Sequence, residues 1–171
     1  MNDPFLQFLE APGAGTYRAI RQQVVSSEAY DPYSDELADF EELLESGQHT
    51  ALRERISSSM PNLLLSPRAH LVLARLDELD GDEDSARMEH AIAAACVEGI
   101  LATGDGSQAS PYLVVRTSDE HDVVSGLRKE LVRQTLTHRE DRYFDILSCD
   151  DGSELWFDIT DAYRTLGDPD S

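Results

Sequence analysis

The apolar residues of this chain change rhythm once, at Gly104 and Gly106: before that point they recur near every third or fourth position, after it at every second. A period near 3.6 builds the buried stripe of a helix and a period of two builds one face of a strand, so the chain must place helices first and a sheet second. The stretch just before the glycines is the firmest helix, from Asp82 to about Leu101. Asp82, Glu83 and Asp84 put carboxylates where the first turn leaves backbone N–H groups free and the helix dipole is positive. Ala86, His90, Ala93, Val97 and Leu101 repeat at helical spacing, flanked by Ile92, Cys96 and Ile100, which makes a stripe wide enough to be covered on more than one side. Ala91, Ala93, Ala94, Ala95 and Gly99 are small, so neighbouring elements should come close. Gly104 suits the left-handed position past a helix end, and Gly106 permits a sharp redirection.

Upstream, Pro4 to Glu10 reads as a short docking helix, ended by Pro12, Gly13 and Gly15. Thr16 caps a second helix to about Ser26, with Tyr17, Ile20 and Val24 on one face. Ser34 or Asp35 starts a third, carrying Leu37, Phe40, Leu43 and Leu44, and Thr50 to Met60 a fourth that Pro61 ends. Ser66-Pro67 opens the next, apolar on most sides and expected to be the most buried. Ala69 to Leu79 followed by Asp82 to Leu101 resembles one tetratricopeptide-type hairpin, and the pair before it a degenerate copy.

Downstream, Tyr112 to Thr117, Leu131 to His138, Tyr143 to Cys149 and Glu154 to Thr160 read as strands. Asp150-Asp151-Gly152-Ser153 is a hairpin turn, and His138 to Arg142 a second linker. Asp119 to Leu127 fits a short helix capped by Ser118. The expected fold class is therefore α+β: N-terminal tetratricopeptide-like helical hairpins packed on a C-terminal, three- to four-stranded, mostly antiparallel sheet. The helical region spans 1–106, a small β module sharing its core spans 107–166, and 167–171 is a loose tail.

The order of features also matters: a hairpin ending in Gly104-Asp105-Gly106-Ser107, then Tyr112-Leu113-Val114-Val115, Ser118-Asp119-Glu120, Gln134-Thr135-Leu136, Phe144-Asp145-Ile146 and Trp156-Phe157-Asp158-Ile159. From about Thr16 to Ile159 this resembles the bacterial family called domain of unknown function 4919. The family tends to carry an aromatic residue at the position of His121 and an asparagine at that of Asp158. The resemblance implies an architecture and supplies no active site.

Charge narrows the partners. Fourteen basic residues against thirty-four acidic give a net charge of -20, which repels nucleic acid and anionic membranes and favours a protein with a basic surface. The cations are arginines except Lys129. No stretch approaches the length and apolarity of a membrane span or an export signal, so a cytoplasmic location is expected, with Cys96 and Cys149 as reduced core thiols.

No catalytic, cofactor or metal signature stands out. Gly104-Asp105-Gly106-Ser107 lacks the spacing of a phosphate or calcium loop. The five histidines sit in five separate elements, with His70 and His90 facing each other across a hairpin. Ser57, Ser58 and Ser59 read as a helix end. Asp119, Glu120, His121 and Asp122 form the densest polar cluster, read as a helix start whose acids complement the dipole. If Phe144 and Phe157 point inward, Asp145, Trp156 and Asp158 point outward and make a docking patch for an arginine or lysine. The expected function is that of a non-catalytic, adaptor-like interaction protein with Tyr30, Tyr33, Glu41, Glu45, Asp145, Trp156 and Asp158 as contact residues. The alternatives are an immunity protein neutralising a basic toxin enzyme, and a hydrolase centred on Glu120, His121 and Asp145.

Overall fold

The computed structural model describes residues 3–167. Six helices come first: α1 (Pro4–Glu10), α2 (Ala14–Val25), α3 (Phe40–Glu45), α4 (His49–Ser58), α5 (Pro67–Asp80) and α6 (Glu83–Ala102). The expected signals start α5 and α6. Ser66 Oγ accepts from the Ala69 N–H at 3.3 Å and Asp82 Oδ1 from the Ser85 N–H at 3.0 Å. Gly81, at φ 78°, turns the chain between them, and α5 packs along α6. Two boundaries differ from expectation. α2 begins before Thr16, whose hydroxyl donates to Ala11 O at 2.8 Å instead of capping the helix. α3 is only six residues long, because 36–39 run as turns.

The sheet follows: β1 (Tyr112–Leu113), β2 (Leu131–Arg139), β3 (Arg142–Cys149) and β4 (Glu154–Asp158), with α7 (Ser118–Gly126) between β1 and β2 and α8 (Thr160–Arg164) after β4. The strand order is β1-β4-β3-β2. β4–β3 and β3–β2 are antiparallel, and β1 joins β4 in parallel. The chain is thus α+β with its helices N-terminal and its sheet C-terminal. The expected tail lies outside the described residues from 168 onward.

β1 is much shorter than its β-branched sequence suggests. Its backbone partners beyond Leu113 are side chains: Val114 O accepts from Arg21 Nε at 3.0 Å and Val115 O from the Tyr30 hydroxyl at 2.7 Å. The N–H groups of Val115 and Arg116 donate to Asp119 Oδ2 at 3.2 and 3.0 Å. A segment whose polar groups are already satisfied needs no neighbouring strand.

The main core joins both regions: Phe8, Tyr17, Ile100, Val123, Leu147 and Phe157 share one cluster with the free, buried thiols Cys96 and Cys149. A second cluster, including Leu43, Leu52, Ile56, Leu63 and Leu76, lies among α3, α4 and α5. α5 is largely buried, although Leu71 and Leu79 on it are exposed.

The glycines near the junction act by size as much as by conformation. Gly106 has φ 77°, but at Gly104 the constraint is space, since a Cβ there would lie 2.4 Å from Ser110 O. At Gly99 a Cβ would stand 2.7 Å from the Tyr17 ring and 2.8 Å from the Phe8 ring. Gly99→Ala should cost about 1–3 kcal/mol by overpacking, read as a lower urea midpoint at unchanged slope; an unchanged midpoint would show that the two rings move aside freely.

Strand register decides which side chains share a face. Asp145 opposes Phe157 and Leu147 opposes Leu155, whereas Phe144 opposes Asp158 and Ile146 opposes Trp156. Opposed residues point the same way, so Phe144 and Phe157 lie on opposite faces of the sheet. Asp145 faces inward with Phe157, while Trp156 and Asp158 share the outer face with Phe144. The outward patch of Asp145, Trp156 and Asp158 therefore does not form.

Candidate functional site

α7 starts deep in the protein. Asp119 turns back to accept the Val115 and Arg116 N–H groups and is fully buried, and burial pushes its carboxyl up to about 7. The next residue, Glu120, lies on the face of α7 that carries the buried Val123 and Val124. Glu120 is 0% exposed and meets Asp145, which is 5% exposed on the inward face of β3. Burial, followed by the charge of Asp145 and a hydrogen bond with it, pushes Glu120 up to about 10. Asp145 is also raised, by burial, against hydrogen bonds from Gln134 and Glu120 that pull it down. The two carboxyls act as a unit, with Glu120 holding a proton toward the Asp145 carboxylate.

The donor they share comes from β2. Gln134 Nε2 donates to Asp145 Oδ2 at 2.9 Å and to Glu120 Oε2 at 3.3 Å. Glu120 Oε1 receives no donor, as suits a carboxyl oxygen that carries a proton. Asp119 and Asp145 are the charges that weigh on Glu120, and His121 acts on Asp145. On the loop before α3, burial, then the charges of Asp145 and Glu120, raise the Tyr33 phenol. His121 is half-buried and makes no hydrogen bond to either carboxyl, and neighbouring Asp122 accepts from Arg68 Nε and Arg68 Nη2 at 3.2 and 3.0 Å. The cluster does start a helix, with Asp119 and Glu120 in its first turn as expected, but both carboxyls are buried.

β2 forms the lip of this site. It is the outermost strand, and eight of its nine residues are exposed. Gln134, Leu136 and His138 lie on the inward face yet remain exposed, so among the described residues β2 extends past the carboxyl pair without a layer beneath it. Leu131, Val132 and Leu136 are 36%, 69% and 51% exposed, an apolar run on the open edge. A bulge between Leu131 and Arg133 marks its start, and the ladder is regular from Arg133 to Arg139. The edge also carries a local excess of cations in an acidic protein, although Lys129 and Arg142 pair with Asp151 and Asp158. Residues 128–142 hold five of the fourteen cations and three carboxylates, and β2 itself holds Arg133 and Arg139 with no acid.

No family model, curated protein or solved structure matches this chain.

Of the expected contact residues, Asp145 belongs to the carboxyl pair, and Tyr33, 40% exposed, lines a groove with Ser34, Arg68, Arg116 and Ser118. Tyr30 is half-buried and spends its hydroxyl on Val115 O. Glu41 and Glu45 line a separate groove of about 450 Å³ with Leu44, His49, Arg75 and Leu79. Trp156 is half-buried, with the Arg139 guanidinium 5.4 Å from its ring and the Phe144 ring edge-on at 5.9 Å. On the following helix, α8, Tyr163 stacks on Tyr143 at 4.0 Å. Asp158 is 8% exposed and accepts from Arg142 at 2.6 Å and from Thr160; burial opposes its ionisation, and these bonds outweigh it and lower its pKa. His70 and His90 do not pair: His70 contacts Glu89 at 2.7 Å and Leu64 O at 2.9 Å, and His90 contacts Glu78 at 3.0 Å.

Sequence reasoning named Glu120 and Asp145, with His121, for the hydrolase alternative and read 131–138 as a strand, but missed the role of Gln134 and the place of that strand at the sheet's edge. The signals were present. Glu120 stands three, four and seven residues before Val123, Val124 and Leu127, on one helical face, and Gln134 alternates in phase with Leu136. Among the described residues no group of three or more His, Cys, Asp or Glu side chains is placed to hold a metal ion, and no helix is long and apolar enough to cross a membrane.

Proposed function

We propose that this chain is a non-catalytic interaction protein that takes up an extended segment of another protein along the free edge of β2. The observation that carries this reading is the edge itself: nine residues, unpaired on one side, apolar at Leu131, Val132 and Leu136, and positively charged at Arg133 and Arg139. An open edge offers a row of free N–H and C=O groups; folded proteins normally blunt such edges with charged side chains, prolines, bulges or a covering element, and here the bulge lies at the strand's start while the ladder from Arg133 to Arg139 is regular. The partner segment is therefore an extended one with acidic side chains opposite Arg133 and Arg139. This departs from the basic surface that overall charge suggests, because β2 itself carries Arg133 and Arg139 and no acid. The helical hairpins, tetratricopeptide-like in outline, serve as the platform that holds the sheet, and the likeness to domain of unknown function 4919 adds no site to this reading.

Selection from a displayed library of short random peptides tests it. The selected peptides should carry acidic residues and protect the amides of 131–139 from hydrogen exchange. Val132→Lys and Leu136→Lys should each weaken binding about tenfold, about 1.4 kcal/mol. Protection confined to the groove at Glu41 and Glu45, with β2 unprotected, would overturn it.

A second reading, a hydrolase, is favoured by one observation: Glu120 and Asp145 place a protonated acid beside a carboxylate, the arrangement acid–base catalysis uses. His121, the expected third member, is not hydrogen-bonded to either. Hydrolysis of generic ester or phosphoester substrates that disappears in Asp145→Asn would support this reading over the first.

A further inference from the structure

We propose that Glu120 and Asp145 form the receptor for one cationic side chain, a lysine or arginine, of the strand that pairs with β2. This rests on the strand-addition reading above and adds the residue that the partner must present.

The geometry runs across the strands. Leu136 lies directly opposite Asp145 on the inward face, and Gln134 reaches from two residues away to both carboxyls. A strand added to β2 would stand about 5 Å beyond it and about 10 Å from β3. Its inward-facing residues would enter the uncovered space beneath Gln134, Leu136 and His138. A lysine or arginine there has the length to bring its charge to the carboxyl pair while its aliphatic stem lies on the exposed Leu136 side chain. Shorter or acidic residues would leave the pair as it is in the free protein.

The pair is built for such an arrival. Glu120 is fully buried, its Oε1 receives no donor, and among the described residues Gln134 is the one side chain that donates to the pair. The nearest cations are committed elsewhere: Arg68 to Asp122, Arg116 to Asp31 and Ser34, and Arg21 to Val114 and Asp161. Asp119 and His121 on α7 and Tyr33 on the facing loop are the other titratable groups around it. A proton holds the two carboxyls together in the free protein, and an incoming ammonium or guanidinium replaces it by donating to both. The exchange balances: the cation enters and the Glu120 proton leaves to solvent. The partner strand thus alternates, with acids outward against Arg133 and Arg139 and a base inward.

Two capped synthetic peptides test this, both alternating aspartate with valine, one with lysine and the other with norleucine at the central inward position. Titration calorimetry in buffers of different ionisation enthalpy counts the protons released, and hydrogen exchange locates binding. The expected result is that both peptides protect 131–139, that the lysine peptide binds about tenfold tighter at pH 7, and that it alone releases about one proton. Glu120→Gln should abolish the release and Asp145→Asn the preference for lysine. Equal binding and equal proton counts for the two peptides, with β2 protected, would overturn the receptor and leave strand addition standing. Protection of β2 by neither peptide overturns both.

Discussion

Replacing Glu120 with glutamine is expected to stabilise the protein at pH 8 and to bring no gain at pH 4. The folded Glu120 holds its proton to about 10, against an ordinary value of 4.5, because burial and the adjacent Asp145 disfavour its charge. Between those limits the folded state binds a proton that the unfolded chain has released, so stability falls as pH rises across the window. Asp119 acts in the same direction between 3.8 and about 7. Groups whose carboxyls are held low, such as Asp158, act oppositely, but their contribution is complete once the pH exceeds the ordinary aspartate range. From pH 5 to 8 the buried acids therefore dominate. Each pH unit in the window costs at most about 1.4 kcal/mol for one such group, and sharing the charge with Asp145 reduces this, so the gain for Glu120→Gln at pH 8 is about 2–4 kcal/mol. Urea unfolding of both proteins at pH 4, 6 and 8 measures it. The wild-type midpoint should decline with pH more steeply than that of the variant. Parallel profiles would mean that Glu120 is ionised in the folded protein.

That a helix start so dense in acid is buried is the largest difference between what the residues announce and what the fold does with them. α6 was legible because its signals are local: Asp82 caps it and its apolar stripe runs for five turns. The β3–β4 turn was legible because Gly152 takes φ 83°, a conformation few other residues tolerate. β1 was not legible, because Arg21, Tyr30 and Asp119 satisfy the backbone after it, and two of them lie more than eighty positions away. The faces of β3 and β4 failed for another reason. Phe144 is buried although it points outward, packed by Trp156 and with Arg142 5.1 Å from its ring, so hydrophobicity alone does not mark the inner face. The carboxyl pair depends on this parity: only the observed register turns Asp145 toward Glu120. The edge strand was legible as a strand, but its place at the sheet's margin is a property of topology, which alternation does not encode.

Arg116→Met is expected to destabilise the protein by about 3–5 kcal/mol, the largest loss among single changes at the site. Arg116 is 4% exposed. Its guanidinium donates to Asp31 O at 3.0 Å, to Ser34 O at 2.9 Å and to Ser34 Oγ at 3.0 Å. It thereby ties the loop before α3 to the segment that leads into α7. Methionine fills similar volume without the donors, leaving these acceptors with fewer partners and removing a positive charge that lowers the buried Asp119. Asn62 holds the same loop from the other side: its Oδ1 accepts from Asp31 N at 2.9 Å and its Nδ2 donates to Asp31 O and Ser34 Oγ at 3.0 Å. Asn62→Ala, a neutral change, should cost about 1–3 kcal/mol by the lost bonds alone, and the excess for Arg116→Met isolates the charge. Chemical unfolding gives both numbers, and hydrogen exchange over 31–38 reports the loop. A loss below that of Asn62→Ala would show that Arg116 only fills space. The loop also carries Tyr33, whose phenol is raised by burial and by the charges of Asp145 and Glu120, so in Arg116→Met the Tyr33 phenol should titrate nearer its ordinary value. That shift separates loss of loop position from a uniform loss of stability, which would leave the folded protein's Tyr33 unchanged.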